Sequence, residues 1–457
     1  MKRNKKHLLA TLLLAGAMLL TTACGDSGNG DETGGGNSSA STPTSNEQSL
    51  GGSSEANPAD ATTGSQVLTV LLSEEPGAGD PLGTMLNNWA SETGNTLDLQ
   101  IIGYDDQLTK FPAMAKNNDL PDLIATTRLH RLYPEEFVDM SECFDLSKFE
   151  NSALEIVAKD YTSGNIVSLP YTFTTTCMFY NADAFKKAGI EAPTLDNPWT
   201  WEELYANAKT LMEKGGVKYG FAADVSRARY DILMYANGGS MTLVDDDTFR
   251  VNVNCAENVS TLERFVEANN TVMPQALWSG ATSDNPADYF KNGDVGIYLS
   301  GSWSYAGFAS DISSFDFGVM PTPVGTVSQS AIIGGGALAV PRNGKNTDLA
   351  IEFLNWLFTP ENFKTYIQMD KGLSSLKGVI YEPDTEEGKE DYTIIQGEAA
   401  YVTDTFSVDE SASWRQYKDN EYRDYIERAV AGEMSAQEAL DAFAKELSDA
   451  SGWDIAK

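Results

Sequence analysis

Histidine is nearly absent, with His7 and His130 alone among 457 residues. Ser-His-Asp and Cys-His nucleophiles and histidine-held zinc therefore have almost nothing to be built from. Cysteine is scarce too. Of four, Cys143, Cys177 and Cys255 lie beyond residue 24; an odd number leaves at least one thiol unpaired, and no spacing among them resembles a metal site. Positive charge is in short supply, 32 Lys and Arg against 66 Asp and Glu, for a formal net charge of −34. A surface of that sign repels nucleic acid and anionic lipid, so no nucleic-acid partner is expected, and it favours solubility. P-loop, G-x-S-x-G and H-E-x-x-H motifs are all missing, which removes their phosphate-binding, hydrolase and metalloprotease chemistries. Neither a cofactor nor a metal is expected.

What is present begins with a leader. Lys2, Arg3, Lys5 and Lys6 precede an apolar run from Leu8 to Leu20, and Thr21-Thr22-Ala23-Cys24 follows. A short apolar core behind positive charge engages the secretion machinery, and small residues before a cysteine let a peptidase cut there once the thiol carries diacylglycerol. The run, about 13 residues, falls short of the ~20 that a membrane span needs. Residues 1–23 thus read as a lipoprotein signal peptide and Cys24 as the lipidated N-terminus, although Thr21 stands where such signals most often carry leucine. Residues 24–65 are mostly Gly, Ser, Asn, Thr, Asp and Glu, too poor in apolar surface to offset the entropy of ordering. They read as a disordered tether with a root-mean-square span of about 35 Å.

The remaining body, about 390 residues, is too long for one core and predicts two lobes. Strands and helices alternate at its start. Val67 to Leu72 has the composition of a buried parallel strand. Leu82, Met85, Leu86 and Trp89 fall at helical spacing between Leu82 and Glu92. Leu97 to Ile102 and Asp122 to Ala125 read as two further strands, an α/β beginning. Capping boxes open helices at Thr200-Trp201-Glu202-Glu203, closed by Gly215-Gly216, and at Ser435-Ala436-Gln437-Glu438. Asn346 or Thr347 caps a helix carrying Ala350, Phe353, Leu354 and Leu357, and Thr359-Pro360-Glu361 starts the next. Leu243 to Val251 reads as a hairpin. Its three aspartates lack the glycine and terminal glutamate of an EF-hand loop, so a solvated turn is expected there.

The run from Ile166 to Leu204 reads IVSLPYTFTTTCMFYNADAFKKAGIEAPTLDNPWTWEEL. It closely resembles the family 1 extracellular solute-binding proteins of ABC importers. Leu169-Pro170-Tyr171, Phe179-Tyr180-Asn181, Phe185, Lys187-Ala188-Gly189-Ile190, Pro193 and Thr200 to Leu204 carry the likeness in order. It extends through Pro121-Asp122, Phe290 to Asp294, Gly301-Ser302-Trp303, Phe317 to Pro321, Gly334-Gly335-Gly336, Val340-Pro341 and Phe353-Leu354. The resemblance implies an α/β clamp of the periplasmic-binding-protein class II type, with two discontinuous lobes joined by crossover hinge strands. Residues 66–175 and 332–376 would form the N-terminal lobe, and 176–331 and 377–457 the C-terminal lobe. Hinges are expected near Thr174 to Cys177, Val327 to Ile332 and Ser374 to Lys377. It also implies a monomer on the outer face of the cell membrane, of a Gram-positive type, that closes on a sugar or oligosaccharide and hands it to ABC permease subunits.

Sugars offer an apolar C–H face and a rim of hydroxyls, so aromatic platforms and polar side chains are the residue types to seek. Trp303, in the family's Gly-x-Trp turn, is the first candidate. Trp414 resembles a late aromatic of maltose-type members, and Tyr171 is the third; for each the alternative is a place in the core. Glu74 and Glu75 follow the first strand, Asp105 and Asp106 the second and Arg128 the third, at the carboxyl ends where α/β sheets place ligands. Gly335 and Gly336 either admit a ligand to the backbone or let a crossover strand pack tightly. The main rival is an anchored glycan-active enzyme using two carboxylates, and a further one is a binding protein that presents its ligand to a sensor.

Overall fold

The computed structural model describes residues 65–160, 163–245, 248–412, 414–418 and 420–457. The leader, Cys24 and the tether up to residue 64 lie outside them. Strand β1, Val67–Leu72, buries its last three residues, as a strand covered on both faces must. The helix Pro81–Thr93 follows. The Asp80 carboxylate accepts the Gly83 N–H at 2.6 Å and proline takes the first helical position, while Leu82, Met85, Leu86 and Trp89 are buried along one face. Strands β2, Thr96–Ile101, and β3, Leu123–Thr126, lie parallel to β1 on either side of it.

Asp122 locks this arrangement. Its Oδ2 accepts the Thr69 N–H at 3.0 Å and the Thr69 hydroxyl at 2.6 Å, and its Oδ1 accepts the Asn346 N–H at 2.6 Å. One buried carboxylate thereby ties β1, β3 and the start of the distant helix Thr347–Leu357 together.

After β4, Leu169–Pro170, the chain enters β5, Thr174–Asn181, and leaves the first sheet. The second sheet adds β6, Tyr219–Ala223; a separate hairpin, β7 (Thr242–Asp245) and β8 (Thr248–Val251), projects after it. The hairpin's Asp246 and Asp247 are outside the described residues. Then come β9, Val295–Gly301, and β10, Phe317–Met320. The chain returns through β11, Ile333–Gly334, and β12, Ala337–Ala339. The first sheet runs β2-β1-β3-β12-β4 and the second β10-β5-β9-β6. β11 pairs with Thr174 and Thr175 at the start of β5. Two antiparallel segments thus run side by side between the sheets.

Both expected capping boxes form, at Thr200 with Glu203 and at Ser435 with Glu438. The helix Trp201–Thr210 loosens into one wide turn, Leu211–Gly215, before Gly216 adopts the left-handed conformation that stops it. The Thr359 hydroxyl caps Pro360–Asp370. One core gathers Leu68, Trp89, Phe149, Phe353 and Phe363 behind the first sheet and continues through Phe179, Phe290, Tyr298 and Phe308 on one face of the second. Another gathers Trp201, Phe221, Tyr230, Trp278, Tyr422 and Phe443 on the second sheet's other face. Cys143, Cys177 and Cys255 are all free thiols, and among the described residues no three His, Cys, Asp or Glu side chains converge to hold a metal.

Candidate functional site

In the first sheet β2 and β3 flank β1 in parallel, so the strand order switches at β1, and α/β sheets place ligands at the carboxyl ends beside such a switch. Glu74 and Glu75 are exposed on the loop after β1. Tyr104, which follows β2, is 46% exposed. Asp105 lies in the first turn of the helix Tyr104–Lys116, its side chain outside the described set, and Asp106 pairs with Lys110 at 2.9 Å on that helix's surface. Arg128, after β3, is only 6% exposed. Its guanidinium lies against the Tyr104 ring, 3.7 Å from the centroid, and donates to the Tyr104 carbonyl. The Thr126 hydroxyl accepts the N–H groups of Arg128 and Leu129 at 3.1 and 2.8 Å, which turns the chain so that Arg128 points back to Tyr104.

In the second sheet β6 and β9 are parallel and end at the same edge. Asp224 follows β6; its two oxygens accept the hydroxyls of Tyr298 and, at 2.7 Å, Ser300. Ser300 Oγ also lies 3.0 Å from Ser304 Oγ. Burial and the Asp224 charge push the Tyr298 phenol far above its ordinary range, so it stays a donor. Arg229, on the helix Arg227–Ala236, donates to the Ser300 carbonyl at 2.6 Å and to Thr176 Oγ1 on β5 at 3.5 Å. Burial pulls its pKa down, with Asp224 opposing.

Trp303 sits just past β9, 46% exposed, with the Arg229 guanidinium 4.8 Å from the centre of its ring. The indole can lie where it does because residue 301 is glycine: a Cβ there would stand 1.9 Å from Trp303 Cζ3. Ser302 anchors the turn to β5, its N–H donating to the Thr175 carbonyl at 2.9 Å and its hydroxyl accepting the Thr175 N–H at 3.2 Å.

The other candidates have different surroundings. Trp414 is 1% exposed, edge-on to Tyr422 and Phe443, with Arg227 over its ring at 5.1 Å; it is a core residue in this structure. Tyr171 is half-buried against Tyr366, and burial followed by the charges of Asp370, Asp80 and Glu74 raises its phenol pKa. A Cβ at Gly335 would meet the Thr172 carbonyl oxygen at 2.1 Å, and one at Gly336 the Tyr171 ring at 2.7 Å. These two glycines therefore allow the segments between the sheets to touch. His130 is buried, held by donation from Nε2 to the Val157 carbonyl at 2.7 Å, and burial lowers its pKa to about 3.

Three residues at these edges, Tyr104, Asp224 and Arg229, are absent from the sequence-based candidates. The signal for Asp224 is present: it follows the apolar run Tyr219-Gly220-Phe221-Ala222-Ala223 just as Glu74 follows β1. Nothing local marks Arg229, whose partners lie 53 to 74 residues away in the chain.

The profile of the bacterial extracellular solute-binding proteins matches residues 74–362. The chain is 28% identical over 283 residues to the sn-glycerol-3-phosphate-binding periplasmic protein UgpB of Salmonella typhimurium, an alignment spanning 58% of this chain and 61% of that protein. Among solved structures it is similar to an ABC substrate-binding protein from Listeria monocytogenes in complex with cycloalternan, at 19% identity and a TM-score of 0.70, covering 86% of this chain and all of the other. It is also similar to maltose-bound MalE3 of T. maritima, at 17% identity and a TM-score of 0.73, covering 84% and 100%. Both likenesses are of fold, a two-lobed α/β clamp. With a profile match over more than half its length, the chain belongs to the bacterial extracellular solute-binding protein family, whose members bind solutes for transport and are not enzymes.

Proposed function

We propose that this protein captures a mono- or oligosaccharide between its two lobes at the outer face of the cell membrane, where diacylglycerol on Cys24 holds it, and delivers the closed form to an ABC importer. Trp303 carries the reading. Its half-exposed indole offers an apolar face to a sugar ring, and Asp224, Ser300 and Ser304 form a linked set of hydroxyl-bonding groups on the same edge. Glu74, Glu75, Asp105 and Tyr171 are the groups proposed to meet the ligand from the first lobe. The sugars bound by the Listeria and T. maritima proteins agree in class.

The lobes in this reading are residues 66–175 with 332–376, and 176–331 with 377–457. The hinges lie near Thr174 to Cys177, Val327 to Ile332 and Ser374 to Lys377. The distribution of strands supports the division, since β1 to β4 and β12 make one sheet and β5, β6, β9 and β10 the other. Ligand stabilises the closed arrangement through contacts that the open one lacks.

The test is a thermal-shift and calorimetric screen of the chain bearing Cys24→Ser against mono- and oligosaccharides, with sn-glycerol 3-phosphate beside them. A sugar at about 100 times its Kd adds about 2.7 kcal/mol to stability, and Trp303→Ala is expected to abolish most of that gain. A shift by glycerol phosphate with silence from every sugar would replace the ligand class. Cys24→Ala in the full chain is expected to release the protein from the membrane fraction.

A further inference from the structure

Two half-exposed aromatics stand at the strand ends, and each has a buried arginine on its ring. Tyr104 and Trp303 are both 46% exposed, whereas Arg128 and Arg229 are 6% and 7% exposed. The guanidinium carbons lie 3.7 and 4.8 Å from the respective ring centres. A covered cation takes one face of each ring, so the exposed area belongs to the ring's remaining face and edges. Both rings are also tethered. Arg128 donates to the Tyr104 carbonyl and Thr127 Oγ1 bonds the phenol oxygen at 3.1 Å, while Arg229 holds the Ser300 carbonyl beside the Gly301–Trp303 turn. Tyr104 follows a strand of the first sheet and Trp303 a strand of the second.

We infer that Tyr104 and Trp303 are paired aromatic platforms, one from each lobe, that receive the C–H faces of a saccharide, with Arg128 and Arg229 as the positioning residues beneath them. The inference rests on the carbohydrate reading for its ligand and adds a first-lobe platform and a role for both arginines. A stacked cation fixes the ring that covers it, so the ring is ordered before ligand arrives and less entropy is lost on binding. Among the described residues no carboxylate pairs with Arg229, and its Nε has no hydrogen-bond partner. Burying such a group is unfavourable; its stack with Trp303 and its two donated bonds are what the fold gains from it.

The experiment has a sugar-free arm and a binding arm. The protein has eight tryptophans, so 5-fluorotryptophan labelling yields a small set of fluorine resonances, in which Trp303→Phe identifies the Trp303 line. Arg229→Met is expected to move that line while the others hold. For binding, the probe is maltotriose, or the panel saccharide that binds best. Tyr104→Ala is expected to weaken binding about tenfold or more, with Tyr104→Phe recovering most of the loss. Arg128→Met is expected to weaken it in the parent and to add nothing in Tyr104→Ala. An unmoved Trp303 line, or full affinity in Tyr104→Ala, overturns the inference and leaves the carbohydrate reading in place. Failure of the parent to bind any saccharide overturns that reading and the saccharide platforms with it.

Discussion

Arg131 Nη1 lies 3.6 Å from Glu410 Oε2, joining the segment after β3 of the first sheet to the helix Asp404–Ser411, which packs on the second sheet's core. Arg415 binds the same carboxylate oxygen. The side chains of Arg131 and Glu410 are 17% and 10% exposed, so removing the charge of one leaves a largely covered charge on the other poorly matched. Because the bond spans the two sides, Glu410→Gln is expected to loosen their arrangement and weaken ligand binding by up to about tenfold. Small-angle scattering should register an expanded form. Unchanged scattering together with unchanged affinity would show that the bridge does not hold the sides together.

Gly301→Ala tests the Trp303 turn. The new methyl has no room beside the indole where it lies, and the half-exposed ring is the group that gives way. The ring must swing away, so affinity is expected to fall by about the same amount as in Trp303→Ala. Calorimetry on both variants decides the matter; intact binding in Gly301→Ala would mean that the ring's seat on the backbone is irrelevant.

Trp414→Ala separates a core aromatic from a platform. The side chain fills a site between Tyr422, Phe443 and Arg227, so its removal is expected to cost about 3–5 kcal/mol. Trp414→Phe should recover much of this in chemical denaturation. A stable Trp414→Ala protein that had lost only its ligand affinity would return Trp414 to the site.

Glu398 sets a pH dependence. It is fully buried at the end of the helix Glu386–Glu398 and accepts the Thr322 N–H at 3.0 Å and hydroxyl at 2.7 Å, yet burial lifts its pKa from 4.5 to about 7. Between those values the folded chain holds a proton that the unfolded chain has released. Stability therefore falls as pH rises from about 4.5 to about 7 and levels off above, with up to about 3 kcal/mol at stake from this one group. Denaturation midpoints at pH 5 and pH 8 measure the loss. Glu398→Gln should shrink it, and an identical slope in that variant would assign the effect elsewhere.

Much of the architecture is legible locally. The run Val67 to Leu72 becomes β1 with the same ends, and both capping boxes start the helices that they announce. Those signals involve residues three or four apart, so they act before any tertiary contact exists. The site is less legible. Gly301-Ser302-Trp303 stands out as a motif, but Asp224 goes unnoticed when its preceding strand is not identified, Tyr104 is passed over beside Asp105 and Asp106 at the same strand end, and nothing next to Arg229 distinguishes it. Trp414 and Trp303 look alike as single letters. One is 1% exposed and the other 46%, because the residues that bury Trp414 arrive from the helices Arg227–Ala236, Asn420–Val430 and Ala436–Ser451.

The sequence by itself determined the class of molecule: a charge balance hostile to polyanions, too little histidine for most catalytic designs, strand and helix alternation, and the family. The first three depend on composition or on spacing within a few turns, and the family on an ordered likeness of motifs that runs from Pro121 to Leu354. The tertiary structure alone decided which aromatics keep an open face, which arginines lie beneath them, and which carboxylates are buried as locks, as Asp122 and Glu398 are. Exposure and partnership arise where segments far apart in the chain converge, and no local pattern carries that information.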